Sequence, residues 1–387
     1  DKVPPPPPHV FLKLKSRYNL SHVIGKKNNP SAVMSSGKYG PEGAYRPENL
    51  DEDIPADLAS IICNSANFSL SKSSWSSYST ALNMTKKCSE ETGTNLSFPF
   101  TETKSLIFTG WLIKKGLAAT TVDKYLSGIR AMHLAAGHTN FNIRNDLVKA
   151  VITGRKNQNN IEESIGEKKE RIPVTPKLML LIKKELGENT TIKPNPLLLW
   201  SVSSLLFSGG FRIGELLAPN KTTFDPYCTL LGRDIKLKQE KYGSSTIETV
   251  QITLKTEKTN KSSKHTIIDV YASEGHLCPV KAFKRWSRHN PCDPDLPAFR
   301  DDDGSPLTQK EFNSFLADFS RKYLDTGKRT LSSHSFRAGM CTLLATLGYS
   351  DEEIMSWGRW NSRAFETYIK APRSKRLWLA KQIAKLN

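Results

Sequence analysis

One stretch of this chain repeats its apolar residues at every second position, whereas most of the chain repeats them at helical spacing. Within residues 230–271, the segments IETVQITL and KHTIIDVY alternate apolar with polar residues around a polar turn. A period of two is typical of strands, so these segments predict a small antiparallel sheet. Elsewhere, apolar residues recur three and four positions apart, which is typical of helices. The patterns together predict a mainly α-helical protein with a small antiparallel β-sheet in its second half.

The clearest helical pattern covers residues 120–136. Val122 and Leu126 begin an apolar stripe there, and Thr120 with Asp123 predicts a capping box. The polar residues that then face outward are Lys124, Ser127 and Arg130. Further helices are predicted over residues 56–67, 72–90, 102–115, 143–153, 176–186, 195–207, 277–289, 308–324, 334–347, 350–357, 362–370 and 373–386.

Composition divides the chain into segments. A five-proline run and a shortage of periodic apolar residues predict a flexible arm at the start, and a polar, highly charged stretch predicts a linker near the middle. The predicted segments are an arm at 1–50, a helical domain at 51–156, a linker at 157–172, an α+β domain at 173–371 and a C-terminal helix or tail at 372–387.

Charge and composition narrow the class of protein. The 387 residues carry a formal net charge of +18, which suits a protein that neutralises phosphate groups. No apolar run reaches the roughly 18 residues that a membrane helix needs. The six cysteines form no CxxC pair, so reduced thiols are expected rather than a disulfide framework. Four possible zinc ligands, at His276, Cys278, His289 and Cys292, lack a standard zinc spacing.

A set of polar residues near the C-terminus points to a chemistry. The sequence HSFR places His334 and Arg337 three residues apart, hence on one face of a helix, and a lone Tyr368 follows. Far upstream, FSGGFRIGELL contributes Arg212 and, three residues later, Glu215. Planar guanidinium groups can clamp the oxygens of a phosphodiester in its transition state. A tyrosine hydroxyl beside such cations can attack the phosphorus and hold it covalently, without metal or nucleotide.

These motifs resemble the tyrosine recombinase (phage integrase) family, and the resemblance covers residues 55–387. The segment GRWNSRAFETYIK is most similar to eukaryotic mobile-element recombinases of the Crypton and DIRS kind. The resemblance implies that residues 51–156 form a DNA-binding, core-binding domain and residues 173–371 the catalytic domain. It also implies that no cofactor or metal is needed.

The resemblance further implies roles for individual residues. Arg212 and Arg337 contact the reacting phosphate, Glu215 supports the site, His334 binds an oxygen or assists proton transfer, and Tyr368 is the nucleophile. The complete expected catalytic set is Arg212, Lys255, His334, Arg337, Trp360 and Tyr368.

Two of these assignments keep an alternative. The general acid is a lysine of the hairpin KTEKTNKSSK, with Lys255 favoured and Lys258 as its rival. The family's histidine or tryptophan, nine residues before the nucleophile, is here Arg359. Either Arg359 donates to the phosphate directly, or the indole N–H of Trp360 does so after a one-residue local shift, and Trp360 is the favoured residue.

The resemblance predicts a site-specific DNA recombinase that cuts and rejoins DNA through a 3′-phosphotyrosine. Its partners are double-stranded DNA and copies of itself, two protomers on each site and four in the recombining assembly. It is expected in the nucleus if the organism is eukaryotic, and otherwise inside the cell in association with DNA. A relaxing enzyme of the type IB topoisomerase kind and an inactive DNA-binding descendant of a transposon protein are the alternatives.

Overall fold

The structure is a computed structural model that describes residues 45–67, 69, 72–138, 142–165, 170–189, 191–255, 265–324 and 329–367. The described residues divide into two compact units, one ending at Ile165 and the other beginning at Glu170. Tyr368, Lys258 and the predicted helix at 373–386 lie outside the described residues.

Helices build the first unit. They are α1 (Ala56–Asn67), α2 (Lys72–Thr92), α3 (Glu102–Lys114), α4 (Ala119–Ala135) and α5 (Asp146–Ile165), preceded by a 3₁₀ turn at Pro47–Asn49. The first four match their predictions to within two residues at either end. Helix α5 continues well beyond the predicted end at 153, so residues 157–165 of the predicted linker are helical. This polar stretch contains no proline or glycine before Gly166, and polarity alone does not end a helix.

The α4 stripe packs as predicted, but its predicted cap is wrong. Val122 and Leu126 are buried in the core of the first unit. The helix begins at Ala119, with Ala118 in the N-cap position, so Thr120 already lies inside the first turn. Asp123 instead accepts a hydrogen bond from Arg144 Nε at 2.8 Å. The same guanidinium donates to Ser127 Oγ at 2.6 Å, whereas Lys124 and Arg130 are exposed.

A buried histidine joins two parts of the first unit. His133 accepts a hydrogen bond at Nε2 from the backbone N–H of Phe100, at 3.2 Å, so Nε2 carries no proton. Nδ1 lies 3.0 Å from the His138 carbonyl oxygen and donates to it in that tautomer. Burial is the main cause that lowers the pKa of His133. A second proton on this ring would remove the acceptor for Phe100.

The second unit begins with a short parallel strand pair that the sequence did not indicate, β1 (Glu170–Arg171) with β5 (Arg329–Thr330). Its three-stranded antiparallel sheet has the order β2 (Ile235–Tyr242), β3 (Ser245–Leu254), β4 (Thr266–Tyr271). Its helices are α6 (Pro176–Glu188), α7 (Pro196–Ser208), α8 (Ile213–Leu216), α9 (Pro279–Ser287), α10 (Gln309–Tyr323), α11 (Ser333–Leu347) and α12 (Asp351–Gly358). Short 3₁₀ turns occupy Gly232–Asp234 and Arg363–Thr367. The predicted fold class, mainly α with a small antiparallel sheet, is confirmed.

Helix α7 lies at the centre of the second unit, because all ten residues from Leu198 to Phe207 are buried. Helix α11 approaches the backbone at Val174 closely. The Val174 N–H donates to the Ser335 carbonyl at 2.8 Å, and a Cβ added at Gly339 would lie 1.9 Å from the Val174 carbonyl oxygen. The glycine therefore permits the packing that sets the depth of α11 and of Arg337 on it.

Three further observations concern the cysteines, possible metal ligands and membrane-spanning helices. No two of the six cysteines are joined by a disulfide. Within the described ranges, no three His, Cys, Asp or Glu side chains are grouped so that they could hold a metal ion. No helix in this part of the chain combines the length and apolar character needed to cross a bilayer.

Protonation of His133 should weaken the first unit. A lowered pKa means that the unfolded state binds the proton more readily, so stability is complete above the unfolded value of about 6.5 and is lost as pH falls through it. We expect the opening free energy of residues 96–100 and 129–138 to fall below pH 6.5, by up to about 1.4 kcal/mol per pH unit. Hydrogen exchange, corrected for its intrinsic pH dependence, measures this. His133→Gln should remove most of that slope, and an unchanged slope would show that another group titrates.

An arginine cluster as the candidate active site

A backbone turn after the central helix carries the first candidate residue. Helix α7 ends at Ser208, and Gly210 then adopts a left-handed conformation with φ of 57°. A side chain at Gly210 would be strained by this backbone conformation, and its Cβ would also displace Met340 Cε, which would lie only 2.4 Å away. The turn delivers Arg212 to the start of the four-residue helix α8. Arg212 Nη1 donates to Glu215 Oε1 at 2.7 Å, and the Arg212 backbone N–H donates to Oε2 at 2.9 Å.

The same carboxylate holds a second arginine. Arg359 Nη2 donates to Glu215 Oε2 at 2.7 Å, and its Nη1 donates to the Gly209 carbonyl at 3.1 Å. The Glu215 side chain is only 6% exposed, and that of Arg359 12%. Arg359 ends helix α12 in the left-handed region, with φ of 55° and ψ of 49°, which costs a non-glycine residue about 1–2 kcal/mol. In this strained backbone conformation, the Arg359 guanidinium contacts the turn at Gly209.

Arg337 is a third, deeply buried arginine, at 3% exposed. Its two terminal nitrogens donate to the carbonyl oxygens of Gly210 and Gly358. Burial, and then repulsion from Arg212 and Arg359, lowers the pKa of the Arg337 guanidinium to about 10. It therefore stays charged at neutral pH. Three guanidinium groups and the Glu215 carboxylate together form a cluster with an excess charge of +2.

Trp360 contacts this cluster through its ring. The Arg337 guanidinium carbon lies 4.0 Å from the centre of the indole, a distance typical of a cation–π contact. Trp360 also packs against a small second core of the unit, around Met340 and Phe365, and the ring centres of Trp360 and Phe365 are 5.9 Å apart. The indole therefore supports Arg337 from that core, whereas Arg359 is the residue of this pair that joins the arginine cluster.

His334 lies in the first turn of α11, one turn before Arg337, and is exposed. The start of this helix is fixed by two hydrogen bonds: Ser332 N–H donates to Ser335 Oγ at 3.1 Å, and Ser333 N–H donates to Asn313 Oδ1 at 2.9 Å. His334 and Arg337 therefore come from one anchored helix. The role predicted for His334 stays a prediction, as does that of Tyr368.

Lys255 lies at the end of β3 in a polar network of its own. Its Nζ is 2.5 Å from Asp234 Oδ2 and donates to the carbonyl oxygens of Pro226 at 2.9 Å and Thr229 at 3.3 Å. These three partners match the three donors of an ammonium group, and the side chain is only 14% exposed. In this arrangement Lys255 anchors the end of the strand, and its assignment as general acid stays a prediction.

Tyr323 is another tyrosine of the second unit, and its hydroxyl has a partner on another helix. Its hydroxyl donates to Glu185, and this hydrogen bond, followed by burial, raises the pKa of Tyr323. A raised pKa makes the phenolate harder to form. The hydrogen bond between α10 and α6 therefore accounts for this hydroxyl without a role in catalysis.

Solved structures show what fold this is. The Tn1549 transposon integrase, residues 82–397 in complex with transposon right end DNA, matches with a TM-score of 0.51 at 13% identity, over 82% of this chain and 95% of that one. The XerH site-specific recombinase bound to palindromic difH substrate, a post-cleavage complex, matches with a TM-score of 0.53 at 14% identity, over 97% and 93%. XerH in its pre-cleavage complex with difH gives 0.51 at 14% identity, over 87% and 93%.

No protein-family model matches the sequence, and the search of curated proteins finds no match. The structural matches show that the chain has the fold of tyrosine recombinases.

Replacing Glu215 by Gln should destabilise the second unit. The three guanidinium groups then lose the carboxylate that balances them, so we expect a loss of about 3 kcal/mol of stability. A thermal melt should show a decrease of several degrees. Sulfate should restore part of the loss when compared with chloride at equal ionic strength, because a bound dianion replaces the missing charge. The matched control is Glu188→Gln, whose exposed partner Lys184 lies at 3.9 Å. Equal losses in the two variants, or no specific effect of sulfate, would contradict this charge balance.

Proposed function

We propose that this protein is a site-specific DNA recombinase that cuts and rejoins DNA strands through a 3′-phosphotyrosine at Tyr368. The observation that carries the proposal is the excess charge of the arginine cluster. Arg212, Arg337 and Arg359 converge on one turn around the Glu215 carboxylate. Such a cluster suits an anion, and DNA, to which XerH and the Tn1549 integrase of the same fold are bound, carries one at every phosphodiester.

Arg212 offers donors for that anion. A guanidinium has five N–H groups; Glu215 Oε1 accepts from one terminal nitrogen of Arg212, and this side chain is 21% exposed. Negative charge on the nonbridging oxygens grows as the nucleophile approaches, so charged donors fixed in advance stabilise the transition state more than the ground state. The carbonyls of the turn and Glu215 hold these donors before DNA arrives.

The proposed reaction is a transesterification. The Tyr368 oxygen attacks the phosphorus, the bond to the 5′ oxygen breaks, and a 3′-phosphotyrosine with a free 5′ hydroxyl remains. The tyrosine proton leaves with help from His334, and a lysine protonates the 5′ oxygen. Religation reverses these steps with the 5′ hydroxyl of a partner strand. No water, redox agent or nucleotide is consumed, because one phosphodiester bond replaces another.

Lys255 is the proposed general acid by its place after β3. To act, its ammonium must exchange Asp234 and the two carbonyls for DNA, since those partners engage all three donors. Lys258 is the alternative and lies outside the described residues. From the family resemblance, we also propose that four protomers act on two DNA sites. The same resemblance places the protein among recombinases of the eukaryotic mobile-element kind.

Removal of the Tyr368 hydroxyl should abolish covalent attachment to DNA. A nicked duplex carrying the target site, end-labelled on the cleaved strand, should form a covalent protein–DNA adduct with the wild type and none with Tyr368→Phe. EDTA should not prevent the adduct, because the proposed chemistry uses no metal. Denaturing gels measure it, and a filter-binding assay checks that both proteins bind DNA.

The other outcomes each correct the proposal. An adduct in both proteins assigns the nucleophile to another residue. Specific binding without an adduct in the wild type indicates an inactive DNA-binding protein. An adduct together with relaxation of supercoils by a single protomer, without pairing of two sites, indicates a topoisomerase.

Arg359 and Trp360 should differ in their effect on the reaction. Replacement of Arg359 by Ala keeps a side chain in the left-handed position, so the backbone strain is similar while the guanidinium is lost. We expect the rate of adduct formation to fall by about 10²–10³-fold, as for the loss of one oxyanion donor. Trp360→Phe keeps a ring against Arg337 and should reduce the rate by less than about fivefold. The reverse order of the two effects would assign the phosphate contact to the Trp360 indole. Thermal melts of both variants check that the fold is retained.

A further inference from the structure

Three consecutive carbonyls of the turn each accept a hydrogen bond from a different side chain. Ser208 accepts from Trp357 Nε1 at 3.2 Å, Gly209 from Arg359 at 3.1 Å, and Gly210 from Arg337. Two of these donors, Arg337 and Arg359, belong to the arginine cluster, which is called the clamp below because it is proposed to hold the phosphate. The third is an indole that the proposed chemistry does not use. Trp357 is therefore held in register with the clamp by the same stretch of backbone.

Trp357 is unusual in being both fixed and open to solvent. The residue is 51% exposed, although its indole N–H donates to the Ser208 carbonyl. Its Cδ1 would lie 3.9 Å from a Cβ built at Gly210, so the ring borders the turn directly. A single exposed apolar side chain is ordinary on a protein surface. Trp357 is thus half exposed with its N–H anchored, on the same turn whose next two carbonyls bind Arg359 and Arg337. A ligand held by these arginines would lie close to the indole.

We propose that Trp357 is a positioning residue that packs against the deoxyribose of the nucleotide next to the phosphate held by the arginines. This inference rests on the proposed function for the identity of the anion. Bases inside a duplex are stacked and paired, so their faces are covered, whereas the sugar beside a bound phosphate is open to the protein. The carbon-rich face of deoxyribose suits an aromatic face, and aromatic contacts to nucleotides contribute substantially to affinity. The contact limits sliding of the phosphate within the clamp.

The test is a coupling measurement between the indole and one sugar ring. Two modified duplexes differ only at the nucleotide beside the reacting phosphate. One carries a tetrahydrofuran abasic unit, which keeps the sugar ring without a base, and the other carries a propanediol unit, which lacks the ring. Both modifications are placed in turn on the 5′ and the 3′ side of the phosphate. Affinity is measured for wild type, Trp357→Ala, Trp357→Phe and the matched control Tyr349→Ala, an aromatic residue exposed to 46%.

We expect the wild type to bind the propanediol duplex about five- to tenfold more weakly than the tetrahydrofuran duplex on one side of the phosphate. Trp357→Ala should bind both duplexes equally, at the weaker level. Trp357→Phe should be intermediate, because its ring lacks the N–H that anchors the indole to Ser208. Tyr349→Ala should keep the preference of the wild type. The same preference should appear in the rate of adduct formation on suicide substrates.

A preference that persists unchanged in Trp357→Ala would overturn the inference, and so would equal binding of the two duplexes by the wild type on both sides. Failure of the proposed function is a different result. If the wild type binds DNA and forms no adduct, cleavage is rejected, while the coupling in binding still decides the role of Trp357.

Discussion

The five-residue turn from Ser208 to Arg212 is the constraint on which the candidate site depends. Its backbone carbonyls accept hydrogen bonds from side chains that lie more than 120 residues later in the chain, at Arg337, Trp357 and Arg359. Backbone groups are suitable anchors because their positions are set by the helix before the turn, here α7, whose residues from Leu198 to Phe207 are all buried. The left-handed backbone at Gly210 suits a residue without a side chain, and the missing Cβ leaves space for Met340 Cε.

Charge is the second feature of the site. A protein gains no stability from burying a guanidinium group beside two others, and the lowered pKa of Arg337 records that unfavourable environment. Glu215 offsets part of the repulsion by accepting from both Arg212 and Arg359. In the proposed function, a bound anion would offset more of it. The cluster would then supply binding energy, because its positive charges are assembled before the phosphate arrives.

The sequence predicted the frame of this fold because periodicity reports burial. The two strands at IETVQITL and KHTIIDVY and most helices follow from apolar spacing alone. The strand pair of Glu170–Arg171 with Arg329–Thr330 does not, since two residues carry no period and their pairing depends on distant packing. The cap predicted at Thr120 was wrong by two residues, because the N-cap is Ala118, whose side chain makes no capping hydrogen bond that could mark the start of the helix. Helix α5 continued beyond its apolar pattern into a polar stretch.

The candidate site was predicted less evenly. Motif and spacing indicated Arg212, Glu215 and Arg337, and the structure joins them. Arg359 joins the cluster because of its left-handed backbone and its hydrogen bond to Glu215, which lies 144 residues earlier in the chain. No local sequence pattern indicates either feature. The network that engages Lys255 is equally nonlocal, since Asp234, Pro226 and Thr229 lie more than 20 residues before it. Tyr368 and Lys258 rest on the sequence.

We propose that the arginine cluster binds one particular phosphate by its charge, and a methylphosphonate scan can test this binding. Each phosphate of the target duplex is replaced in turn by a neutral group, and affinity is measured for the wild type and Arg359→Ala. We expect one position where neutralisation weakens wild-type binding about tenfold more than at its neighbours, with that excess reduced in the variant. A uniform, small loss at every position, identical in both proteins, would show that the cluster does not select one phosphate.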